Sequence, residues 1–520
     1  MRIANPLLAL MVAALSLGTA CTQDLALSPA AEGLRVLAGS ERLLGARLPS
    51  GVRAFRGVPY AAPPLGPLRW KPPQPHVARK GVQDSTSFGP ACPQDQGNPD
   101  WYRDVAASVG ADGGIIPALR EISEDCLYLN VWALDEPVDT PRPVMVWIHG
   151  GSNVNGFAHE PNYRGGALVA AHGIVVVSLN YRLGPFGFLA HPALAAEDPQ
   201  DVSGYYGLAD QVAALRWVRD HIASFGGDPQ NVTVFGESAG GGNISALMRM
   251  PSARGLFHRA VIQSGALAPY DSIDYEAAEQ AGERLLASLG ATTVEEMRAL
   301  DWQTLVDERP SALEHYYFGP IADGFYLPPG AEITPMPLMI GANHDEWLMY
   351  LPDDDVQSSF DDALDQYVAR SRDTVAQAFV HRYESVEMRA NRLISAAEFW
   401  CPALALANRV ESLEQAAYVY LFTRVRPGAD ALLAYHGAEI PYVFDTADAW
   451  LPATPIDDEL TAAMQTYWVN FAMRGDPNSA SLPTWLPYEH DTRRILELGD
   501  NIGLASGEWT ELCDLIEGSQ

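Results

Sequence analysis

Val232-Thr233-Val234-Phe235-Gly236-Glu237-Ser238-Ala239-Gly240 is an apolar strand that runs directly into a glycine-flanked serine, followed by Gly241-Gly242-Asn243-Ile244-Ser245-Ala246-Leu247-Met248. Small residues and then apolar ones are what a helix needs where it must pack closely on a sheet and bury its stem. A strand that turns at once into a helix forces its corner residue into strained backbone, tolerable only between small neighbours, and holds the corner side chain outward. Here that side chain is the Ser238 hydroxyl. The G-x-S-x-G pattern alone is short enough to recur by chance; the strand before it and the helix after it set this one apart.

Working outward, residues 127–132 and 143–148 read as the first core strand pair, and the β-branched run 173–179 as a strand buried on both faces. Helical spacing of Leu208, Val212, Leu215, Val218 and Ile222 predicts a helix over 207–225, and further strands follow at 260–264, 337–340 and 417–422. Strands alternating with helices give an α/β fold with a mostly parallel central sheet flanked by helices. The amphipathic stretches 275–304 and 360–380 are expected as cap or peripheral helices over the sheet's carboxyl edge. Residues 45–57 read as a hairpin and the proline-rich 59–75 as extended surface chain. With no linker-like run in the middle, residues 33–517 are expected to form one domain.

The chain has 520 residues, 48% of them hydrophobic, and a net charge of −31, which argues against a nucleic-acid partner. Lysine occurs only at Lys71 and Lys80, so arginine carries nearly all the positive charge. Residues 1–20 have a basic start, a short apolar run and small residues, the pattern of a secretory signal and too short for a membrane span. The chain is therefore expected to be exported, secreted or periplasmic. Cys21 resembles a bacterial lipidation site, although Gly18 stands where leucine is usual; lipid anchoring and free secretion both stay open. Of the remaining cysteines, Cys92, Cys126, Cys401 and Cys513 can pair in three ways, and none has the C-x-x-C spacing of a metal site. Neither a metal nor a cofactor is expected.

A serine hydroxyl needs a base within hydrogen-bond reach, itself oriented by a carboxylate. In α/β-hydrolase folds these follow in the order Ser, acid, His. Downstream of Ser238, the strand 337–341 leads into Asn343-His344-Asp345-Glu346-Trp347, which offers two carboxylates, and Tyr435-His436-Gly437 offers the base, ahead of His381 and His490. Upstream, Trp147-Ile148-His149-Gly150-Gly151-Ser152 ends a strand in bare backbone N–H groups able to face a developing oxyanion, and Ala239 adds another. His149 reads as a structural group that fixes this loop.

These pieces resemble the type-B carboxylesterases of the carboxylesterase/cholinesterase family over nearly the whole chain. Residues 55–61 with 63–70 resemble the family's N-terminal signature, 123–131 its second and 235–241 its nucleophile signature. The resemblance implies an α/β-hydrolase fold with Ser238 as nucleophile, Glu346 as acid, His436 as base, and Gly151, Ser152 and Ala239 as oxyanion donors. It also implies Cys92–Cys126 and Cys401–Cys513 disulfides, an Arg69–Glu124 ion pair, and a loop carrying Trp101, Tyr102 and Ile115-Ile116 over the active-site mouth. Ser152-Asn153, Trp347 and Tyr205 depart from the family pattern and are expected to reshape the substrate pockets. The expected function is hydrolysis of small or medium-sized carboxylic esters through an acyl-enzyme, half-active near pH 6–7 from the ordinary imidazole value. An amidase, thioesterase or carbamate hydrolase would use the same residues, and a non-catalytic adhesion protein the same fold.

Overall fold

The computed structural model describes residues 34–518, apart from 114, 115, 117, 120, 136–139, 267–271, 308–312, 314, 315, 369, 448 and 449. The expected leader, Cys21 and Ile115 lie outside the described residues.

The strands are β1 Leu34–Ala38, β2 Glu41–Arg47, β3 Val52–Pro59, β4 Val82–Asp84, β5 Tyr128–Leu134, β6 Arg142–Ile148, β7 Val175–Leu179, β8 Gly227–Glu237 and β9 Arg259–Gln263. After them come β10 Ile273–Asp274, β11 Ile321–Ala322, β12 Leu338–Asn343, β13 Ala417–Phe422, β14 Leu496–Leu498 and β15 Ile502–Leu504. Thirteen of these form one sheet in the order β1-β2-β3-β5-β7-β6-β8-β9-β12-β13-β14-β15, with β4 on β2. From β7 to β14 every neighbouring pair is parallel, whereas the β1-to-β7 flank and the β14–β15 edge are antiparallel.

One strand neighbourhood differs from the sequence reading. β5 and β6 are not paired, because β7 lies between them, matching Leu129 to Leu179 on one side and Val146 to Val177 on the other. All five β7 residues are buried, and a strand apolar on both faces has to sit inside the sheet. Alternation along β6 then feeds two cores. Val144, Val146 and Ile148 pack on one face of the sheet, and Met145 and Trp147 on the other.

The long helical readings are also broken up. Residues 275–304 form Tyr275–Ser288, Val294–Arg298 and Trp302–Asp307, with Gly290 at φ 65° ending the first and a capping box at Thr293 and Glu296 starting the second. Residues 360–380 fall in Val356–Tyr367 and Arg372–Arg382, parted at Ser371 with φ 58°. Periodicity carries across such breaks because both helices bury their apolar faces in one core.

Arg69 Nε donates to Glu124 Oε2 at 2.7 Å, Nη2 to Oε1, and Nη1 to the carbonyls of Met297 and Leu300. Cys92 is bonded to Cys126, and Cys401 to Cys513. The second bridge spans 112 residues and ties the Glu508–Glu517 helix to the Cys401–Ser412 helix. Closing a loop of that length is worth about 5 kcal/mol by chain entropy. The double substitution C401S/C513S is therefore expected to lower the denaturant midpoint clearly, read by urea unfolding.

Candidate active site

β8 ends at Glu237, and Ser238 takes φ 54° and ψ −126° before the Ala239–Leu247 helix starts. The corner is crowded: a Cβ on Gly240 would stand 2.1 Å from the Ile148 carbonyl oxygen, and one on Gly265 2.0 Å from that of Ser238. Only glycine allows these backbones to approach so closely, which explains the elbow's composition. The ladder pairs Ile148 with Gly236 and Glu237 with Gln263, so the loops after β6, β8 and β9 leave the sheet at one carboxyl edge.

The loop after β12 brings two carboxylates and uses them differently. Glu346 is fully buried; its Oε1 accepts from the Asn343 N–H at 2.6 Å and its Oε2 lies 2.6 Å from His436 Nδ1. Asp345 turns away, accepting from Arg392 Nη1 at 2.8 Å and Asn391 Nδ2 at 2.9 Å and lying 3.0 Å from His344 Nδ1. The imidazole thus meets Glu346 and not Asp345. His381 ends the Arg372–Arg382 helix and His490 is exposed beside Asn408, both away from the cavity that Ser238 and His436 line.

The imidazole's other face was not foreseen. His436 Nε2 lies 3.1 Å from Glu237 Oε1, and the Ser238 hydroxyl makes no hydrogen bond to it. Glu237 is 5% exposed, and that oxygen pairs with His436 Nε2 when the ring is charged. Burial pushes the Glu237 carboxyl up to about 8, against the pull of His436. For His436, burial disfavours the charged ring, but the negative charges of Glu237 and Glu346 outweigh it and hold the imidazole well above its ordinary value, at about 9. Phe399 and Tyr350 flank the ring at 5.2 and 6.0 Å. The residue beside the nucleophile carried a signal in sequence only as a carboxylate next to Ser238. Nothing in the chain order says that it faces the base.

The loop after β6 is left-handed at Gly151, Ser152 and Asn153, with φ of 95°, 53° and 55°. The N–H groups of Gly151, Ser152 and Ala239 have no acceptor among the described residues. Asn153 corrects the expectation that it shapes a substrate pocket. It is fully buried, accepting from Asn243 Nδ2 at 2.8 Å and the Tyr181 hydroxyl at 3.2 Å and donating to the Phe318 carbonyl, so it fixes the loop from behind. His149 has the same kind of role. Stacked on Tyr181 at 4.5 Å with Nδ1 2.9 Å from the Gly150 carbonyl oxygen, it is pushed down to about 4 by burial and stays neutral.

Ser238 opens into a cavity of about 1320 Å³. Trp101 and Tyr102, on the Gly97–Ser108 helix inside the Cys92–Cys126 loop, line it, and Trp101 Nε1 donates to the Tyr350 hydroxyl at 3.2 Å. Tyr102 is anchored by its hydroxyl to buried Glu160 at 2.6 Å. Ile116 instead packs in a hydrophobic core and is absent from the cavity wall. Trp347 lines the cavity, whereas Tyr205 stacks on Tyr326 at 3.8 Å, outside it. Among the described residues no group of three or more His, Cys, Asp or Glu side chains is placed to hold a metal ion. No helix among them is long and apolar enough to cross a membrane.

Comparison with known proteins places the chain in one family. Residues 36–514 match the model of the carboxylesterase family. The chain is 36% identical to para-nitrobenzyl esterase of Bacillus subtilis (strain 168), over 89% of this chain and 94% of that protein. It is 33% identical to fumonisin B1 esterase of Sphingopyxis macrogoltabida, over 88% and 85% of the two chains. A solved structure of PNB esterase superposes with a TM-score of 0.77 at 34% identity, covering 92% of this chain and 99% of that one. With its α/β-hydrolase sheet, its elbow and these relatives together, the chain belongs to the carboxylesterase family and is an ester hydrolase.

Proposed function

We propose that the protein hydrolyses carboxylic esters through a covalent acyl-enzyme on Ser238. His436 takes the Ser238 proton as the hydroxyl attacks the ester carbonyl, and Glu346 holds the ring with Nε2 toward the reacting atoms and balances the imidazolium. The N–H groups of Gly151, Ser152 and Ala239 receive the oxyanion, each worth on the order of 3 kcal/mol of barrier. His436 then hands its proton to the leaving alcohol and activates water for deacylation. The observation that carries this reading is the buried Glu346–His436 hydrogen bond at the same cavity as a strained, outward serine flanked by acceptorless N–H groups. Ser238 and His436 line the same cavity, and a serine–imidazole hydrogen bond often tightens only in the substrate complex. The domain of residues 33–517 acts as one unit after a leader over 1–20 directs export, with Cys21 acylated or simply left at the new terminus.

Mixing enzyme with a 4-nitrophenyl ester in stopped flow is expected to give a burst of nitrophenolate of about one per active site before the steady state. Linear release from zero time across a chain-length series of 4-nitrophenyl esters, with no acyl adduct on Ser238 after acid quenching of any of them, would contradict the acyl-enzyme reading.

The electrostatics around His436 revise the expected pH profile. A base must be neutral to accept the serine proton, so activity is lost as pH falls through its pKa. Because Glu237 and Glu346 raise that pKa, the acid limb of kcat/KM is expected above the ordinary imidazole region, not at pH 6–7. Glu237→Gln removes the nearer charge at Nε2 and is expected to move the limb back down. A wild-type limb centred below pH 6.5 would contradict the assignment.

A further inference from the structure

We propose that Glu160 is a positioning residue: it latches the Gly97–Ser108 helix to the loop after β6 and so keeps Trp101 over His436, with the cavity closed for substrate. The proposal rests on the ester-hydrolase reading of that cavity and adds a residue outside its wall that controls binding.

Glu160 is fully buried and takes no part in the acyl-transfer scheme. Its Oε1 accepts from Asn98 Nδ2 at 2.8 Å and from the Phe157 N–H at 3.0 Å, and its Oε2 accepts from the Tyr102 hydroxyl at 2.6 Å. All three donors are neutral. Burial pushes the carboxyl up to about 7, while these donors favour its ionised form. A buried carboxylate held in this way costs stability that an apolar side chain would spare, which marks the position as a candidate for function.

The donors show what the carboxylate holds. Asn98 and Tyr102 are four residues apart, so both side chains leave one face of the Gly97–Ser108 helix. The buried residues of that helix are Pro99, Tyr102, Val105 and Ala106, and with so narrow a buried face its polar ties carry a large share of its attachment. The turn that presents Glu160 is fixed to the sheet. Ser178 Oγ of β7 donates to the Ala158 carbonyl at 2.6 Å, and Asn180 Oδ1 accepts from the Ala158 N–H at 2.8 Å. Gln94 ties the chain ahead of the helix to the same loop, donating to the Gly156 carbonyl at 2.8 Å and accepting from its N–H at 2.9 Å.

At the other side of the helix Trp101 meets the base. Its ring lies 6.3 Å from that of Tyr435, and its Cη2 lies 3.5 Å from where a Cβ on Gly437 would stand. Tyr435 and Gly437 are the two neighbours of His436 in the chain. The ties therefore run from β7 through the 157–160 turn and Glu160 to the helix, and from the helix to the ring over the imidazole. If the latch is loosened, the closed arrangement is populated only part of the time. Apparent affinity then falls in proportion to the fraction closed, while enzyme saturated with substrate, and so closed, turns over as before.

The test uses two substitutions of Glu160 and one of its partner. E160Q keeps an acceptor for Asn98 and Phe157 and can donate to the Tyr102 hydroxyl oxygen, whereas E160A leaves all three donors unanswered. With 4-nitrophenyl butyrate, E160A is expected to raise KM about tenfold and to lower kcat by less, and E160Q to stay within about threefold of wild type in KM. Hydrogen–deuterium exchange over residues 97–108 is expected to quicken about tenfold in E160A and in Y102F, with exchange in β6 to β9 unchanged. Y102F keeps the ring in place and decides the matter should E160A fail to fold. Exchange over 97–108 at the wild-type rate in Y102F, or a folded E160A whose KM is unchanged or whose loss is confined to kcat, overturns the latch and leaves the esterase reading standing. No hydrolysis of 4-nitrophenyl acetate, butyrate or octanoate by the wild-type enzyme overturns that reading and this inference with it.

Discussion

Replacing Ser238 with alanine is expected to lower kcat by about a million-fold, the loss typical when a triad nucleophile is removed and only the oxyanion donors and binding remain. The fold should be unaffected. The Ser238 hydroxyl makes no hydrogen bond to His436, and the corner is held by backbone: the Ser238 N–H donates to the Gln263 carbonyl at 2.9 Å and its carbonyl accepts from Gly242 at 3.0 Å. Steady-state hydrolysis of a 4-nitrophenyl ester, beside an unchanged thermal unfolding curve, checks both halves. A loss of less than about a hundredfold would mean that another group attacks the carbonyl.

The second large effect separates two adjacent carboxylates. Glu346→Gln is expected to cost about 10⁴-fold in kcat, because the amide no longer stabilises the imidazolium and favours the wrong ring tautomer. Asp345→Asn should behave differently. Asp345 and Arg392 are both buried and paired at 2.8 Å, so removing the charge strands the guanidinium and is expected to cost about 3–5 kcal/mol of stability while folded enzyme stays active. Urea unfolding and kcat measured on both variants decide the matter: equal catalytic losses at equal stability would remove Glu346 from the mechanism.

The elbow was legible because its steric demands are local. A positive φ at Ser238 with glycines close on both sides needs small residues at fixed spacing, and those are visible in the chain. The loops bearing Glu346 and His436 were legible for a related reason, since strand ends marked by glycine or a turn follow in fixed order along one sheet edge. The position of β7 between β5 and β6 was not, because apolar runs show that a strand is buried without showing its neighbours. The role of Asn153 was hidden as well. Its partners Tyr181, Asn243 and Phe318 lie 28 to 165 residues away, and no local pattern announces them. The same holds for Glu237, whose approach to His436 Nε2 joins segments 199 residues apart and changes the expected pH profile.

The most direct test of the account is the site of covalent modification. The enzyme is treated with a fluorophosphonate, digested and sequenced by tandem mass spectrometry, with hydrolysis followed in parallel. Stoichiometric phosphonylation of Ser238 together with complete loss of activity is the predicted result. Hydrolysis that continues while Ser238 is fully modified, or inactivation with the adduct on another residue, would contradict it.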